Sequence, residues 1–240
     1  GQTVMENVAK EPHIVDLANF LNQMGADIKG AGTDKIVING VESLHGGTYS
    51  IIPDQIEAGT YMAAVAACGG DVLIKNVIPK HLECIGTKLE DMGVKIEMYD
   101  DSIRVIRNGP LRHTNLKTMP YPGFPTDMHP QMAAAMVLAD GSSHITEGVW
   151  PNRFRYAEEL EKMGAHISVF KETAVIEGVP DLVGTDVVAH DLRAGAAMVI
   201  AGLAAQGVTT ISNIGYVERG YEKLVEKVCG IGGEMERVNE

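Results

Sequence analysis

Cysteine is scarce, with only Cys68, Cys84 and Cys229 among 240 residues and no paired spacing between them. That excludes a disulfide framework and a zinc knuckle, and it suits a reducing compartment. Basic residues are also short: 20 Lys and Arg face 32 Asp and Glu, for a formal charge of −12. A nucleic-acid binder would show a basic face, so that class is excluded. Small anionic substrates are not, because a few placed arginines can outweigh the net charge locally. Long apolar runs are missing; Ala194–Ala205 is the longest nearly apolar stretch and is too short to span a bilayer. No secretory signal pattern is visible, and the first residue is glycine rather than methionine. The expectation is a soluble cytoplasmic protein with no membrane and no nucleic-acid partner. The phosphate-loop ending GK[ST] is absent too, so Lys29-Gly-Ala-Gly-Thr33 reads as a hairpin turn.

What is present is repetition, on a chain whose 45% hydrophobic content is ample for one or two cores. Four segments share an ending: NFLNQMGADI, TKLEDMGVKI, EELEKMGAHI and EKVCGIGGEM. Their glycines, Gly25, Gly93, Gly164 and Gly232, lie 68, 71 and 68 residues apart. Each follows an amphipathic run and precedes an alternating one, which predicts a helix C-cap leading into a strand. A second, alanine-rich helix starts at Asp54, Asp127 or Asp191 and ends at Gly69, Gly141 or Gly207. Between the two helices come strands in TVMENVAK, DVLIKNVIPK, SHITEGVWPNR and TTISNIGYVER. VKIEMYDDSIRVIR and AHISVFKETAVIEGV read as closing hairpins, turning at Asp100-Asp101 and Lys171-Glu172.

The unit is therefore strand, alanine-rich helix, strand, amphipathic helix, strand, strand: an α/β protein of βαβαββ repeats of about 70 residues. Two copies read as complete, roughly 48–110 and 118–180. The copy at 1–47 lacks its opening strand and alanine-rich helix, and the copy from about Thr185 lacks its final strands, so a piece of a longer protein is expected. The cysteines fall on helices as small buried residues with no assigned role.

Chemistry gathers at the helix starts. In Pro120–Gly141, prolines and Gly123 hold the chain extended before Thr126-Asp127 opens a small, apolar, buried helix that Gly141 stops. Asp127 reads either as its N-cap or as a carboxylate presented at the mouth of that helix. Asp54 and Asp191 stand in the same place, as equivalent caps would. Lys10, Lys80, Arg153 and Arg219 line up between the middle strand and the amphipathic helix. A cation at a helix N-terminus opposes the helix dipole but strengthens an anion site, which favours anion binding for Arg153 and Arg219. Arg193, two residues into the helix after Asp191, adds a third guanidinium suited to carboxylate or phosphate. His129 and Trp150 read as packing.

FPTDM before a helix, NRF at 152–154, HDLRAGAAMVIAG at 190–202 and ERGYE at 218–222 resemble the enolpyruvyl transferases across essentially the whole chain. EPHIVDLANFL and GT followed by IVINGVESLHGGTYSIIPD resemble the branch that acts on UDP-N-acetylglucosamine, at the first committed step of peptidoglycan synthesis. The resemblance implies an inside-out α/β barrel built from six such units, three per domain. Residues 1–52 would be the tail of the first domain and 53–240 most of the second, which an absent N-terminal segment completes. It implies transfer of the carboxyvinyl group of phosphoenolpyruvate to the sugar 3-hydroxyl with release of phosphate, with no cofactor and no metal. Asp127 then corresponds to the general base on that hydroxyl, and Asp191 to a carboxylate near the reacting centre. Val149 corresponds to a backbone contact to the UDP-sugar. Arg153, Arg193 and Arg219 correspond to residues that handle phosphate and carboxylate or move on closure, with Arg219 counted among the catalytic set. The family's Pro-Gly-Gly-Cys loop is absent, which implies negligible turnover by this chain alone. The alternatives are the shikimate 3-phosphate branch, or a non-catalytic ring of the clamp type. A clamp would line its hole with Lys and Arg, and these helices carry almost none.

Overall fold

The computed structural model describes residues 1–238. The first unit holds β1 (Gln2–Glu6), α1 (Pro12–Gln23), β2 (Asp27–Lys29) and β3 (Lys35–Asn39), with its antiparallel sheet ordered β1-β3-β2. Lys29–Thr33 forms the β2–β3 turn, closed by the Thr33 N–H donating to the Gly30 carbonyl at 3.0 Å. The second unit holds α2 (Gln55–Cys68), β4 (Gly70–Lys75), α3 (Glu83–Asp91), β5 (Lys95–Met98) and β6 (Ser102–Arg107), again with the last strand central.

The third unit holds β7 (Leu111–Arg112), β8 (Asn115–Lys117), α4 (His129–Met136), β9 (Ala139–Asp140), β10 (Ser142–Thr146), α5 (Tyr156–Lys162), β11 (His166–Phe170) and β12 (Thr173–Glu177). Its sheet runs β11-β12-β10-β8, with β8 parallel to β10. The fourth holds β13 (Asp186–Val188), α6 (Leu192–Ala204), β14 (Thr210–Ser212), α7 (Gly215–Glu218) and α8 (Leu224–Gly230), with β13 and β14 parallel.

All four amphipathic helices end alike. Gly25, Gly93, Gly164 and Gly232 take φ between +93° and +97°. The residue after each donates its N–H back into the last turn, to Leu21, Leu89, Leu160 and Val228, at 3.0 Å every time. This is the left-handed glycine cap that frees the chain to leave the helix; β2, β5 and β11 follow the first three, whereas residues 233–238 after Gly232 form no strand. The alanine-rich helices α2, α4 and α6 pack on one another, with Ala63, Ala66, Ala133, Ala134, Ala135, Ala197 and Ala201 fully buried. Small side chains let the axes approach closely, so the sheets and amphipathic helices wrap outside a helical centre. The main core begins at Ile56; no residue of the first unit belongs to it.

Three expectations change. Residues 48–52 form no opening strand: Tyr49 Oη and the Ile52 N–H instead donate to the Asp16 carboxylate on α1, at 2.7 and 3.4 Å. The second unit's sheet therefore has three strands where the third has four. Helix α4 stops at Met136, and Ala139–Asp140 becomes a strand that pairs with β7 before Gly141 turns the chain. The cysteines are not buried: Cys68 and Cys229 are exposed and Cys84 is half-buried, because each lies on the outward side near a helix end.

Candidate active site

The three equivalent aspartates part company. Asp54 caps α2 by accepting from the N–H groups of Ile56 and Glu57, at 2.7 and 3.3 Å. Asp191 caps α6 in the same way, accepting from Arg193 and Ala194, both at 2.8 Å. Asp127 caps nothing. A 3-10 turn over Thr126–Met128 precedes α4, and the His129 N–H is taken by the Thr126 carbonyl. The next residue, Pro130, has no N–H to give. Both donors that an aspartate at this position would use are gone, and its carboxylate turns elsewhere.

It turns to two arginines. Arg153 Nη2 donates to Oδ1 at 2.6 Å, while Arg193 Nη2 and Nε donate to Oδ2 at 3.1 and 3.3 Å. The arginine side chains are only 16% and 13% exposed, and the carboxylate between them is 40% exposed, so the group faces solvent through Asp127. Burial alone would raise the Asp127 carboxyl, but the charges of Arg193 and Arg153 outweigh it and hold it below the usual carboxylate range.

Behind Arg193 lies a polar network among buried residues. Its Nη1 donates to the Tyr221 hydroxyl at 3.3 Å, and Tyr221 lies 2.8 Å from Thr60 Oγ1. Thr60 gives its own proton to the Ile56 carbonyl at 2.7 Å, so Tyr221 is the donor between them. Gln131 Nε2 reaches both hydroxyls, at 3.2 and 3.4 Å. The network thus ties α2, α4 and α6 to the segment after α7.

On the other side, Glu147 is 4% exposed and binds four donors. Its Oε1 accepts from Thr118 Oγ1 at 2.6 Å and from the Val149 and Trp150 N–H groups at 2.7 and 2.8 Å. Its Oε2 accepts from Thr126 Oγ1 at 2.7 Å, and that same hydroxyl accepts from Arg153 Nη1 at 2.8 Å. Burial works against its ionisation, but these hydrogen bonds prevail and hold the carboxyl below its ordinary range.

Of the residues singled out by sequence, Asp127, Arg153 and Arg193 form one cluster. Val149 lies exposed on the adjoining loop with its N–H committed to Glu147. Asp191 is one residue from α6 but spends a carboxylate oxygen on the cap. Arg219 is exposed and makes no ion pair or side-chain hydrogen bond among the described residues. Sequence reasoning missed Glu147, Tyr221, Thr60 and Gln131. The signal for Glu147 was a charge on the inward face of a strand, in line with buried Ser143 and Ile145. Among the described residues, no group of three or more His, Cys, Asp or Glu could hold a metal ion.

A carboxylate gripped by two guanidiniums at the mouth of packed apolar helices can bind an anion and accept a proton from a neighbouring hydroxyl. The repeats that carry it have the enolpyruvyl transferase architecture. The structure superposes on the enolpyruvyl transferase NikO from Streptomyces tendae with TM-score 0.84 and 31% identity, covering 98% of this chain and 56% of that one. It superposes on EPSP synthase from Acinetobacter baumannii with TM-score 0.74 and 22% identity, over 99% of this chain and 58% of that one, a likeness of fold. The family model for EPSP synthase (3-phosphoshikimate 1-carboxyvinyltransferase) matches residues 1–228, and the chain belongs to that family.

Within it, the chain is 59% identical over 240 residues to UDP-N-acetylglucosamine 1-carboxyvinyltransferase 3 of Caldanaerobacter subterraneus subsp. tengcongensis, covering 100% of this chain and 58% of the relative. It is 56% identical over 238 residues to the UDP-N-acetylglucosamine 1-carboxyvinyltransferase of Clostridium botulinum, covering 99% of this chain and 57% of the relative. The chain therefore spans somewhat more than half the length of these relatives.

Proposed function

We propose that this chain carries one side of a site that transfers the carboxyvinyl group of phosphoenolpyruvate to the 3-hydroxyl of UDP-N-acetylglucosamine, releasing phosphate. The observation that carries the reading is the Asp127 carboxylate held between Arg153 and Arg193 instead of capping its helix. The names of the relatives at 56% and 59% identity give the acceptor, UDP-N-acetylglucosamine, and the carboxyvinyl group transferred to it; phosphoenolpyruvate as the donor is part of the proposal.

In this reading the sugar hydroxyl oxygen attacks C2 of phosphoenolpyruvate while C3 gains a proton, giving a tetrahedral intermediate. Loss of phosphate and of a C3 proton then restores the double bond. Asp127 takes the hydroxyl proton. The two arginines keep it weakly basic at rest; as they turn to the substrate it takes a proton that becomes acidic as the new C–O bond forms, so its contribution rests on close positioning. Arg153 and Arg193 exchange the Asp127 carboxylate for substrate anions and stabilise the charge that develops on them. The Val149 carbonyl is the backbone group left for the sugar nucleotide, since its N–H is occupied.

Residues 1–52 would close one domain and 53–240 form most of a second. The remaining length of the relatives would supply the opposing wall, and the whole would work in the cytoplasm in peptidoglycan synthesis. No helix of the described residues is long and apolar enough to cross a membrane.

The test is phosphate release by the protein that carries this chain, with each substrate varied. Release should require both phosphoenolpyruvate and UDP-N-acetylglucosamine, fall at least about 100-fold in Asp127→Asn, and be negligible for the 240-residue chain alone. Release with shikimate 3-phosphate in place of the sugar nucleotide would move the chain to the other branch. Undiminished turnover in Asp127→Asn would remove the assigned base.

A further inference from the structure

Glu147 stands where the two other hairpin-bearing units have valine. In the two other hairpin-bearing units, the N–H that donates to the residue just before the second hairpin strand belongs to Val8 (to Asp34) and Val77 (to Asp101). In the third unit the same bond runs from Glu147 to the Glu172 carbonyl, at 2.7 Å. The first two units insert a left-handed asparagine before that valine, Asn7 and Asn76, each at φ 55°. The third unit drops the asparagine and buries a carboxylate. Nothing about closing the repeat requires this, because the same bond forms with an apolar side chain.

The carboxylate instead serves its surroundings. It joins the end of β8 through Thr118, the 3-10 turn through Thr126, and the loop through the Val149 and Trp150 amides. Thr126 passes the interaction on, giving its proton to Glu147 and accepting from Arg153, whose other nitrogen holds Asp127. We propose that Glu147 is a positioning residue for the site: through Thr126 it sets Arg153 against Asp127, and through two amides it fixes the Val149 backbone for the sugar nucleotide. The geometric part stands alone; the reference to the sugar nucleotide rests on the function proposed above.

One contact of Glu147 is unfavourable. His129, fully buried, directs Nε2 to the Arg153 carbonyl at 3.3 Å, and its Nδ1 has no hydrogen-bond partner although Glu147 Oε2 lies 3.4 Å away. Burial drives the ring toward its neutral form, so the one ring proton belongs on Nε2 and a lone pair faces a carboxylate. Glu147→Gln would relieve this clash. The amide oxygen keeps the three donors on the Oε1 side, and the amide nitrogen donates to Nδ1. It would also reverse the polarity at Thr126, whose hydroxyl would then face two donors and lose its acceptor. A residue with a purely structural role loses stability when replaced. Here the isosteric variant should lose more function than its change in stability explains.

The experiment uses the protein that carries this chain with Glu147→Gln, Glu147→Ala, Thr126→Val and Thr126→Ser. For Glu147→Gln, the protein should stay folded with a modest fall in melting temperature, amide exchange at Val149 and Trp150 should stay slow, and KM for UDP-N-acetylglucosamine should rise about tenfold or more. The KM for phosphoenolpyruvate should move less. Thr126→Val should reproduce the KM effect and Thr126→Ser should restore it. Glu147→Ala should accelerate exchange at both amides. An unchanged KM in Glu147→Gln and Thr126→Val, or a KM rise that only tracks a lower melting temperature, would overturn the proposal. If the parent protein shows no activity with these substrates, the functional reading fails. The exchange measurement then decides the positioning role by itself: unchanged exchange at Val149 and Trp150 in Glu147→Ala would refute it.

Discussion

Replacing Asp127 by asparagine should cost stability that inorganic phosphate restores. The substitution preserves shape and removes the one carboxylate that, among the described residues, pairs with Arg153 and Arg193, whose side chains are 16% and 13% exposed. A unit-charge pair at about 4 Å is worth about 4 kcal/mol at the effective dielectric of a protein surface, before desolvation is charged against it. Removing one partner of a fully buried pair costs about 3–5 kcal/mol. Asp127 is 40% exposed, so solvent screens it, and the expected loss is about 2 kcal/mol.

The two guanidiniums are then left facing each other, a ready anion site. A ligand at about one hundred times its dissociation constant stabilises the folded state by about 2.7 kcal/mol, enough to cover the loss. In the parent chain phosphate must compete with Asp127 and should stabilise much less. Urea unfolding at pH 7 with and without phosphate, at matched ionic strength, reads both effects. A loss below about 0.5 kcal/mol would show that the ion pairs contribute nothing net. Equal stabilisation of both proteins by phosphate would refute the idea that Asp127 occupies the anion site.

Tyr221→Phe removes the hydroxyl that accepts from Arg193 and donates to Thr60, so denaturant unfolding should show a loss of about 1–3 kcal/mol. The pH dependence of stability should have two stages. Burial lowers the folded-state pKa of His129 below its unfolded value, so the unfolded chain takes up a proton first; stability is full above about pH 7 and declines as pH falls below about 6.5, by up to about 1.4 kcal/mol per unit. His81 shifts in the same direction for the same reason and adds to this stage. Asp127, Glu147 and Glu159 are also depressed, so their contribution is present above about pH 4 and is lost as pH falls further. His129→Gln should remove much of the upper stage and leave the lower; an unchanged profile between pH 5 and 7 would refute the buried neutral imidazole.

Repetition made much of the fold legible in the sequence. The four glycine-ended helices, the alanine-rich helices and the hairpins recur with one chemistry each, and local geometry follows directly from it: only glycine easily takes the left-handed cap, and only small side chains suit a close helix–helix centre. Even the departure of Asp127 from its equivalents was encoded nearby, in Pro130, which removes a donor that Asp54 finds in Glu57 and Asp191 finds in Ala194. Arg153 and Arg193 stood out because a cation at a helix start opposes the dipole.

What sequence left open was which polar residues meet. Aligned as strings, Gly148 falls under Asn7 and Asn76; the hydrogen bonds show instead that the third unit is shorter there and that Glu147 takes the place of a valine. Tyr221 and Thr60 are 161 residues apart and share a hydrogen bond, which no local pattern could signal. Arg219 reads like Arg153 in register yet faces solvent, while Arg153 grips a carboxylate. Periodicity and caps are properties of neighbouring residues, and the sequence determined them. A site built from side chains on separate units depends on how those units pack, and only the tertiary structure decided that.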